Sequence, residues 1–351
     1  MFKSTRSARH RICIAVAVGF TASLFFAQTE KAKAQQPIEL KLAHFLPTAN
    51  GMHKDFLEPW SRELEACSAG KVKVTIYPAG TQLGNIARLY EQVQSGVVDI
   101  AHGLSGVPAG RFERTRLMEL PFTVKTAGAS AKTLWDLYEP YLKPDFSGVK
   151  VLALHSPNAG QIHTVNKRVK TVEDLKGLRI RFPSEAIKLA LEHLGAVPVG
   201  LPPGAVYENM EKGVIDGAAF TWDTMDSFKL AEITKYHLDA SFYLTTFWFA
   251  MNQAKYDGLS KDVQACVDKL SGKALVPKFG PWWTEWDRRG LDLVKARNHP
   301  IDTLSPAERV QWIKALEPMV EKYLAGLEAK GIKNAREIYA KMKEKVASYE
   351  K

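Results

Sequence analysis

Two stretches of this chain read alike. Glu91–Ala101 is EQVQSGVVDIA and Glu208–Ala218 is ENMEKGVIDGA. Each joins the end of a helical pattern to a glycine placed as a left-handed stop, then two β-branched residues and an aspartate. A chain that makes the same helix-to-strand unit once in each half is expected to build two similar α/β lobes with a cleft between them. Its 351 residues suffice for two domains.

Between the two copies, Lys170–Val199 (KTVEDLKGLRIRFPSEAIKLALEHLGAVPV) carries the most informative charge. Leu178, Ile180 and Phe182 alternate with Arg179 and Arg181, so the two arginines share one face of a strand. Pro183 ends the strand, and Ser184 is read as the N-cap of a helix over Glu185–Leu194. Arg181 thus sits at a strand's carboxyl end beside a helix N-terminus, where open α/β sheets bind ligands. A guanidinium in that setting suits a carboxylate.

The rest of the chain alternates strand and helix. Strands are expected over Ile38–Phe45, Lys71–Tyr77, Val97–Ala101, Val149–His155, Ile162–Val165 and Phe242–Met251. Helices are expected over His53–Ala66, Asn85–Gln94, Ala129–Tyr138, Phe228–His237, Ser260–Leu270, Lys273–Lys295 and Lys333–Lys351, with another opening at the capping sequence Ser305-Pro306-Ala307-Glu308. The loop Ser156–Gln161 and the aromatic strand from Phe242 are the expected passages from one lobe to the other and back, with no flexible linker.

Six of the 48 Lys/Arg and one of the 38 acids lie in residues 1–34, so half of the net charge of +10 sits there. That segment reads as a leader: a basic start, the apolar run Ile12–Ala27, and Ala32-Lys33-Ala34 as a cleavage site, which implies export to the periplasm. The remaining charge is small and no basic cluster interleaves with aromatics, so nucleic acid is not an expected partner. An oxidising compartment permits a disulfide between Cys67 and Cys266. Two cysteines in separate predicted helices are nevertheless expected to stay apart. No Gly-x-Ser-x-Gly, His-Glu-x-x-His or phosphate loop occurs, so neither an enzyme nor a cofactor is expected, and no ligand set for a cation is legible.

Several motifs in order resemble the DctP-like solute-binding proteins of TRAP transporters: Ile76-Tyr77-Pro78 with Gln82-Leu83-Gly84, Leu120-Pro121-Phe122, Glu173–Arg181 (EDLKGLRIR), Gly195-Ala196 with Pro198, and Gly213-Val214-Ile215-Asp216-Gly217. The resemblance implies a two-lobe periplasmic binding protein fold, its lobes joined by crossing strands and a long helix. It also implies closure on a small organic acid, an arginine at the position of Arg181 pairing with the solute's carboxylate, and delivery to membrane subunits. On this reading residues 35–158 with 246–286 form one lobe, and 159–245 with 287–351 the other with the C-terminal helices. Hinges are expected near Asn158–Ile162 and Thr245–Phe249. A monomer or homodimer fits equally.

The chain departs from the sialic-acid binders of that family. Gln161 stands where they have a second arginine, Phe220 where they have an asparagine, and Pro203 where they have an aromatic. One fixed cation with more aromatic surface remains. Phe45, Phe220 and Trp222 are the expected ring walls, although rings after strands are also ordinary core. Gln161, His163 and His155 are candidate hydrogen-bond donors, each with a structural alternative. The expected solute is an aromatic or apolar monocarboxylate, with a 2-oxo acid or C4-dicarboxylate as the alternative. A sensory binding protein or a periplasmic enzyme on the same scaffold are the other readings.

Overall fold

The computed structural model describes residues 36–350; the leader read from residues 1–34 lies outside them. The strands and helices run β1 (Ile38–His44), α1 (Glu58–Cys67), β2 (Val72–Tyr77), α2 (Leu89–Ser95), β3 (Ile100–Leu104), α3 (Ala127–Leu137), β4 (Val149–His155), β5 (Gly160–Thr164), β6 (Arg179–Phe182), α4 (Glu185–His193) and β7 (Val197–Gly200). They continue as α5 (Val206–Glu211), β8 (Gly217–Phe220), α6 (Asp223–Ser227), β9 (Tyr236–Tyr243), β10 (Phe247–Asn252), α7 (Gln253–Asp257), α8 (Lys261–Lys269), α9 (Val276–Ala296), β11 (Ile301–Thr303), α10 (Pro306–Ala329) and α11 (Ala335–Tyr349).

Two sheets organise these elements, in the orders β2-β1-β3-β10-β4 and β11-β9-β5-β8-β6-β7. In the first, β1 is parallel to β2 and β3, and β10 runs antiparallel to β3 and β4. In the second, β6 is parallel to β7 and β8, and β5 runs antiparallel to β8 and β9. The arrangement β2-β1-β3 is therefore repeated as β7-β6-β8, each followed by an antiparallel strand. The chain leaves the first sheet between β4 and β5 and returns between β9 and β10. The third link is α9: Phe279, Trp283 and Trp286 belong to the large apolar core, while Val294 belongs to the smaller core of the second sheet.

The repeated sequence corresponds to a repeated handshake. Gly96 and Gly213 both have positive φ, 80° and 67°, the left-handed turn that glycine adopts without steric cost. Three residues later, Asp99 N donates to Lys41 O (3.0 Å) while its carboxylate accepts from Lys41 N (2.7 Å). Asp216 N donates to Arg179 O, and its carboxylate accepts from Arg179 N, both at 2.8 Å. Each aspartate thus zips the incoming strand onto its parallel neighbour, through charge-assisted bonds to backbone N–H. Because Val97–Asp99 is spent on this turn, β3 begins at Ile100, three residues later than its β-branched start suggests.

Other expectations need correction. The helix expected over Phe228–His237 is a short turn followed by β9. Lys229 is left-handed (φ 57°), and from Tyr236 the chain pairs with β5 and β11, so tertiary pairing overrides local pattern. The strand expected over Phe242–Met251 is two strands. At the break, Thr246 N and Oγ1 donate to Glu119 Oε1 (2.9 and 2.8 Å), and the buried Arg116 holds the other carboxylate oxygen at 3.4 Å. A buried acid satisfies the backbone where it leaves one ladder for the other. Ser184 precedes α4 with extended backbone, but its hydroxyl makes no capping bond and is buried without a partner. Ser305, by contrast, forms a complete capping box with Glu308. Finally, Cys67 and Cys266 do pair, with Cα atoms 5.8 Å apart. The end of α1 and the middle of α8, adjacent on one flank of the first sheet, bring together helices that are distant in sequence.

Candidate functional site

Arg181 is the third residue of β6, between Val199 of β7 and Ala218 of β8, and is 2% exposed. Its Nε donates to Leu201 O (3.1 Å), its Nη1 donates to Ala219 O (3.3 Å), and its guanidinium lies 4.2 Å over the Phe220 ring. Two neutral carbonyls and a ring orient the group without neutralising it. Burial draws its pKa down to about 10, opposed by the nearby Tyr243. The other arginines of this region have acids: Arg179 makes a bidentate pair with Asp216 (3.0 and 2.7 Å), and buried Arg116 pairs with Glu119. No acid lies within ion-pair distance of Arg181 among the described residues. A buried cation without a counter-charge is costly and is the natural seat of an anion.

The guanidinium faces a cavity of about 50 Å³. One water needs roughly 10–15 Å³ on this measure, so the space suits a compact molecule. Its apolar wall includes Phe45, Leu104, Phe220, Phe247 and Trp283, with Pro203 at the position expected to lack an aromatic; its polar residues include Thr221, Asp223, Tyr243 and Thr245. Residues of both sheets contribute. The Phe45 and Phe247 rings are parallel within 6° at 6.3 Å. Burial raises the pKa of the Tyr243 phenol, keeping it a neutral donor. Gly160 makes room for that ring: a Cβ there would lie 2.6 Å from it. Arg181 also borders a groove of about 430 Å³ that shares Leu104, Pro183 and Pro203 with this cavity. Two other grooves, about 750 and 590 Å³, are lined by charged residues that are exposed or half-buried with partners; neither presents a buried, unpaired charge.

Residues 42–326 match the family described as bacterial extracellular solute-binding protein, family 7. The chain belongs to this family. An aromatic-acid-specific TRAP solute-binding protein from a marine metagenome, solved with 3-hydroxybenzoate, is 34% identical, with a TM-score of 0.86 over 90% of this chain and 100% of that one. The TRAP solute-binding protein of Rhodoferax ferrireducens T118, solved with copurified benzoate, is 30% identical, with a TM-score of 0.85 over 89% of this chain and 98% of that one. The 2,3-diketo-L-gulonate-binding periplasmic protein of Escherichia coli K12 is 29% identical over 207 residues, which are 58% of this chain and 63% of that protein. These likenesses agree with the two-lobe α/β architecture and the solute-binding class.

Within this family 7 protein, the structure brings Arg181, Phe220 and Phe45 to one cavity. The other four candidates lie behind or beside it. Gln161 is opposite Phe220 in the β5–β8 ladder; its amide nitrogen donates to Ala159 O (2.7 Å) and its carbonyl oxygen is buried without a partner. Trp222 packs against His163 and His237 in the second core. His163 is paired with His237, Nδ1 to Nδ1 at 2.7 Å, and His155 with His102, Nε2 to Nε2 at 3.0 Å. His155 also stacks on Phe279 (4.0 Å) and accepts from the Trp283 indole (3.3 Å). Burial holds these histidines neutral, with His102 drawn to about 3 and His237 to about 4.

Sequence reasoning missed Tyr243, Phe247, Trp283, Thr221 and Asp223. Tyr243 and Phe247 flank the break at Leu244–Thr246, so reading that stretch as one strand hid the passage that aims them at the cavity. Asp223 is buried and lines the cavity. Its carboxylate accepts from Thr221 Oγ1 and, at 3.4 Å, from Asn50 Nδ2; its backbone N donates to Asp287 Oδ1 (3.0 Å). Asp287, on α9, in turn accepts from Asn158 Nδ2 (2.9 Å). Burial raises the pKa of both acids. The chain Asn50–Asp223–Asp287–Asn158 ties the β1–α1 loop, α6, α9 and the β4–β5 passage together.

Proposed function

We propose that this protein captures a small aromatic or apolar monocarboxylate in the cavity between its two sheets. The observation that carries the reading is Arg181, a fully buried guanidinium oriented by carbonyls and lacking an acid. Incoming carboxylate replaces water with a bidentate, charge-assisted pair, for which the planar fork of arginine is suited. Tyr243 stands close enough to add a neutral donor. The rings of Phe45, Phe220 and Phe247 supply apolar area, with roughly 25 cal/mol per Å² buried as the driving term. The benzoate and 3-hydroxybenzoate bound by the two structural relatives named above support the same class.

In this reading the lobes close by rotation at the β4–β5 and β9–β10 passages, with the boundaries near residues 158 and 245 expected from sequence. The family's role supports delivery of the solute to membrane subunits of a TRAP transporter. The leader-like residues 1–34 support a periplasmic address, and no described helix is long and apolar enough to cross a membrane.

Titration calorimetry of the protein with benzoate, cinnamate, succinate and 2-oxobutyrate tests the reading. Micromolar or tighter binding of an aromatic acid, with succinate and 2-oxobutyrate at least tenfold weaker, is the expected result. Tight succinate binding with no response to either aromatic acid would sink it.

A further inference from the structure

Arg181 accounts for one end of a ligand; Asp223 is a second charged group on the same cavity wall. Its geometry is fixed from two sides. Thr221 Oγ1 donates to Oδ1, and the backbone N of Asp223 is held by Asp287 Oδ1 at 3.0 Å. The remaining oxygen, Oδ2, has only the Asn50 amide, at the long distance of 3.4 Å. A carboxylate offers about four acceptor sites, so a buried Oδ2 with one stretched bond retains acceptor capacity. Buried polar groups left partly satisfied are costly, and none of the other hydroxyls lining the cavity, Thr224, Tyr243 and Thr245, hydrogen-bonds to Oδ2.

Resting on the function proposed above, we infer that Asp223 is a specificity-determining residue that reads the ligand's far end. It accepts a hydrogen bond from a hydroxyl on the ring and repels a second carboxylate. The cavity thereby carries a cation at Arg181 and an acceptor at Asp223, with aromatic rings among its other walls. A hydroxylated aromatic monocarboxylate satisfies all three. An unsubstituted ring leaves Oδ2 as it is. An aromatic dicarboxylate sets two like charges together in a desolvated space, the kind of built-in clash by which sites reject near-isosteres.

The test uses the mature protein and four probes of similar size: benzoate, 3-hydroxybenzoate, 3-methylbenzoate and benzene-1,3-dicarboxylate. Wild-type protein is expected to bind 3-hydroxybenzoate about tenfold more tightly than 3-methylbenzoate, the worth of one hydrogen bond to a charged group, and to show no heat with the dicarboxylate. Asp223→Asn is expected to narrow the hydroxyl preference and to admit the dicarboxylate; the wild-type series carries the test if that variant does not fold. Equal wild-type affinity for the hydroxy and methyl compounds together with measurable dicarboxylate binding overturns the role of Asp223 while leaving the capture of aromatic acids standing. Failure of wild-type protein to bind any of the four overturns the underlying reading, and this one with it.

Discussion

The carboxyl ends of β1 and β6 occupy equivalent places in the two sheets and carry opposite chemistry. The aspartate handshakes align Lys41 with Arg179 and therefore Ala43 with Arg181. In the first sheet the strand continues through Ala43 and His44 to Phe45, whose ring walls the cavity; in the second it delivers a buried guanidinium and ends at Pro183. One scaffold, built twice, thus furnishes an apolar jaw and a charged jaw. The turn glycine, the aspartate and the strand order belong to the scaffold, and the residues past the handshake, Arg181 in one sheet and Phe45 in the other, face the cavity. Arg179 and Arg181, two positions apart, illustrate the same division: the first is consumed by Asp216, the second is left for something that arrives.

The largest expected effect breaks the charged jaw. Arg181→Ala should weaken binding of the preferred acid by about 3–5 kcal/mol, the loss typical when a desolvated carboxylate is left unpaired. Arg181→Lys should recover little, because a point charge replaces a fork. Affinity within a few-fold of wild type for the alanine variant, measured by calorimetry, would show that the asymmetry between the strand ends has no bearing on the ligand.

The next effect tests the equivalence of the scaffold. Asp99→Ala and Asp216→Ala each remove a carboxylate that holds a neighbouring strand's N–H, and each should lower stability by about 1–3 kcal/mol in denaturant unfolding. The two costs should agree within about 1 kcal/mol. They differ in exposure and in their partly exposed ion pairs, Lys255 for Asp99 and the bidentate Arg179 for Asp216, differences expected to contribute about 1 kcal/mol or less. A several-fold larger cost at one site would mean that the repeat is one of shape and not of energetics.

The smallest effect per group concerns pH. Each sheet buries a histidine pair, His102 with His155 and His163 with His237. Burial depresses all four pKa values. A depressed group is neutral when folded, whereas its unfolded counterpart takes up a proton below its ordinary value of 6.5. Stability is therefore full above that value and is lost as pH falls towards the folded values of about 3 for His102 and about 4 for His237. Each histidine contributes up to about 1.4 kcal/mol per pH unit within that window. Asp223 and Asp287, raised by burial, act with the opposite sign, but they are two groups against four. Denaturant stability at pH 5 should be clearly below that at pH 7, and a flat profile would show that the pairs hold a proton when folded.

Much of the fold was legible because it rests on local, repeated signals. Val149–His155 is a short, mostly apolar run between Ser147-Gly148 and Ser156-Pro157, and the structure begins and ends β4 there. The EDLKGLRIR segment fixes β6, and with it Arg181, because the strand's alternation and Pro183 leave one register. What escaped depends on partners distant in sequence. Nothing near Thr246 announces that Glu119 will take over its hydrogen bonds, and nothing near Phe228 announces that the following residues will find β5 and β11. The histidines illustrate a different limit: a strand-end imidazole looks like a ligand donor until its mate, 53 residues away for His155 and 74 for His163, is seen opposite. Asp223 was missed for the converse reason. Its neighbours Thr221 and Asp226 make it look like an ordinary helix start, and only the cavity reveals that its carboxylate faces inward.

The disulfide has a consequence for the connectivity of the molecule. Cys67 precedes the first departure from the first sheet, and Cys266 follows the return, so the bond encloses the whole excursion through β5–β9 in a covalent ring with a sequence separation of 199. A protease that cuts one exposed loop of that excursion opens the ring without releasing a fragment. The nicked chain keeps its intact mass on a non-reducing gel and separates only when thiol is added. The strands β5–β9 of the second sheet are in this way held in a covalent loop closed on the first-sheet side.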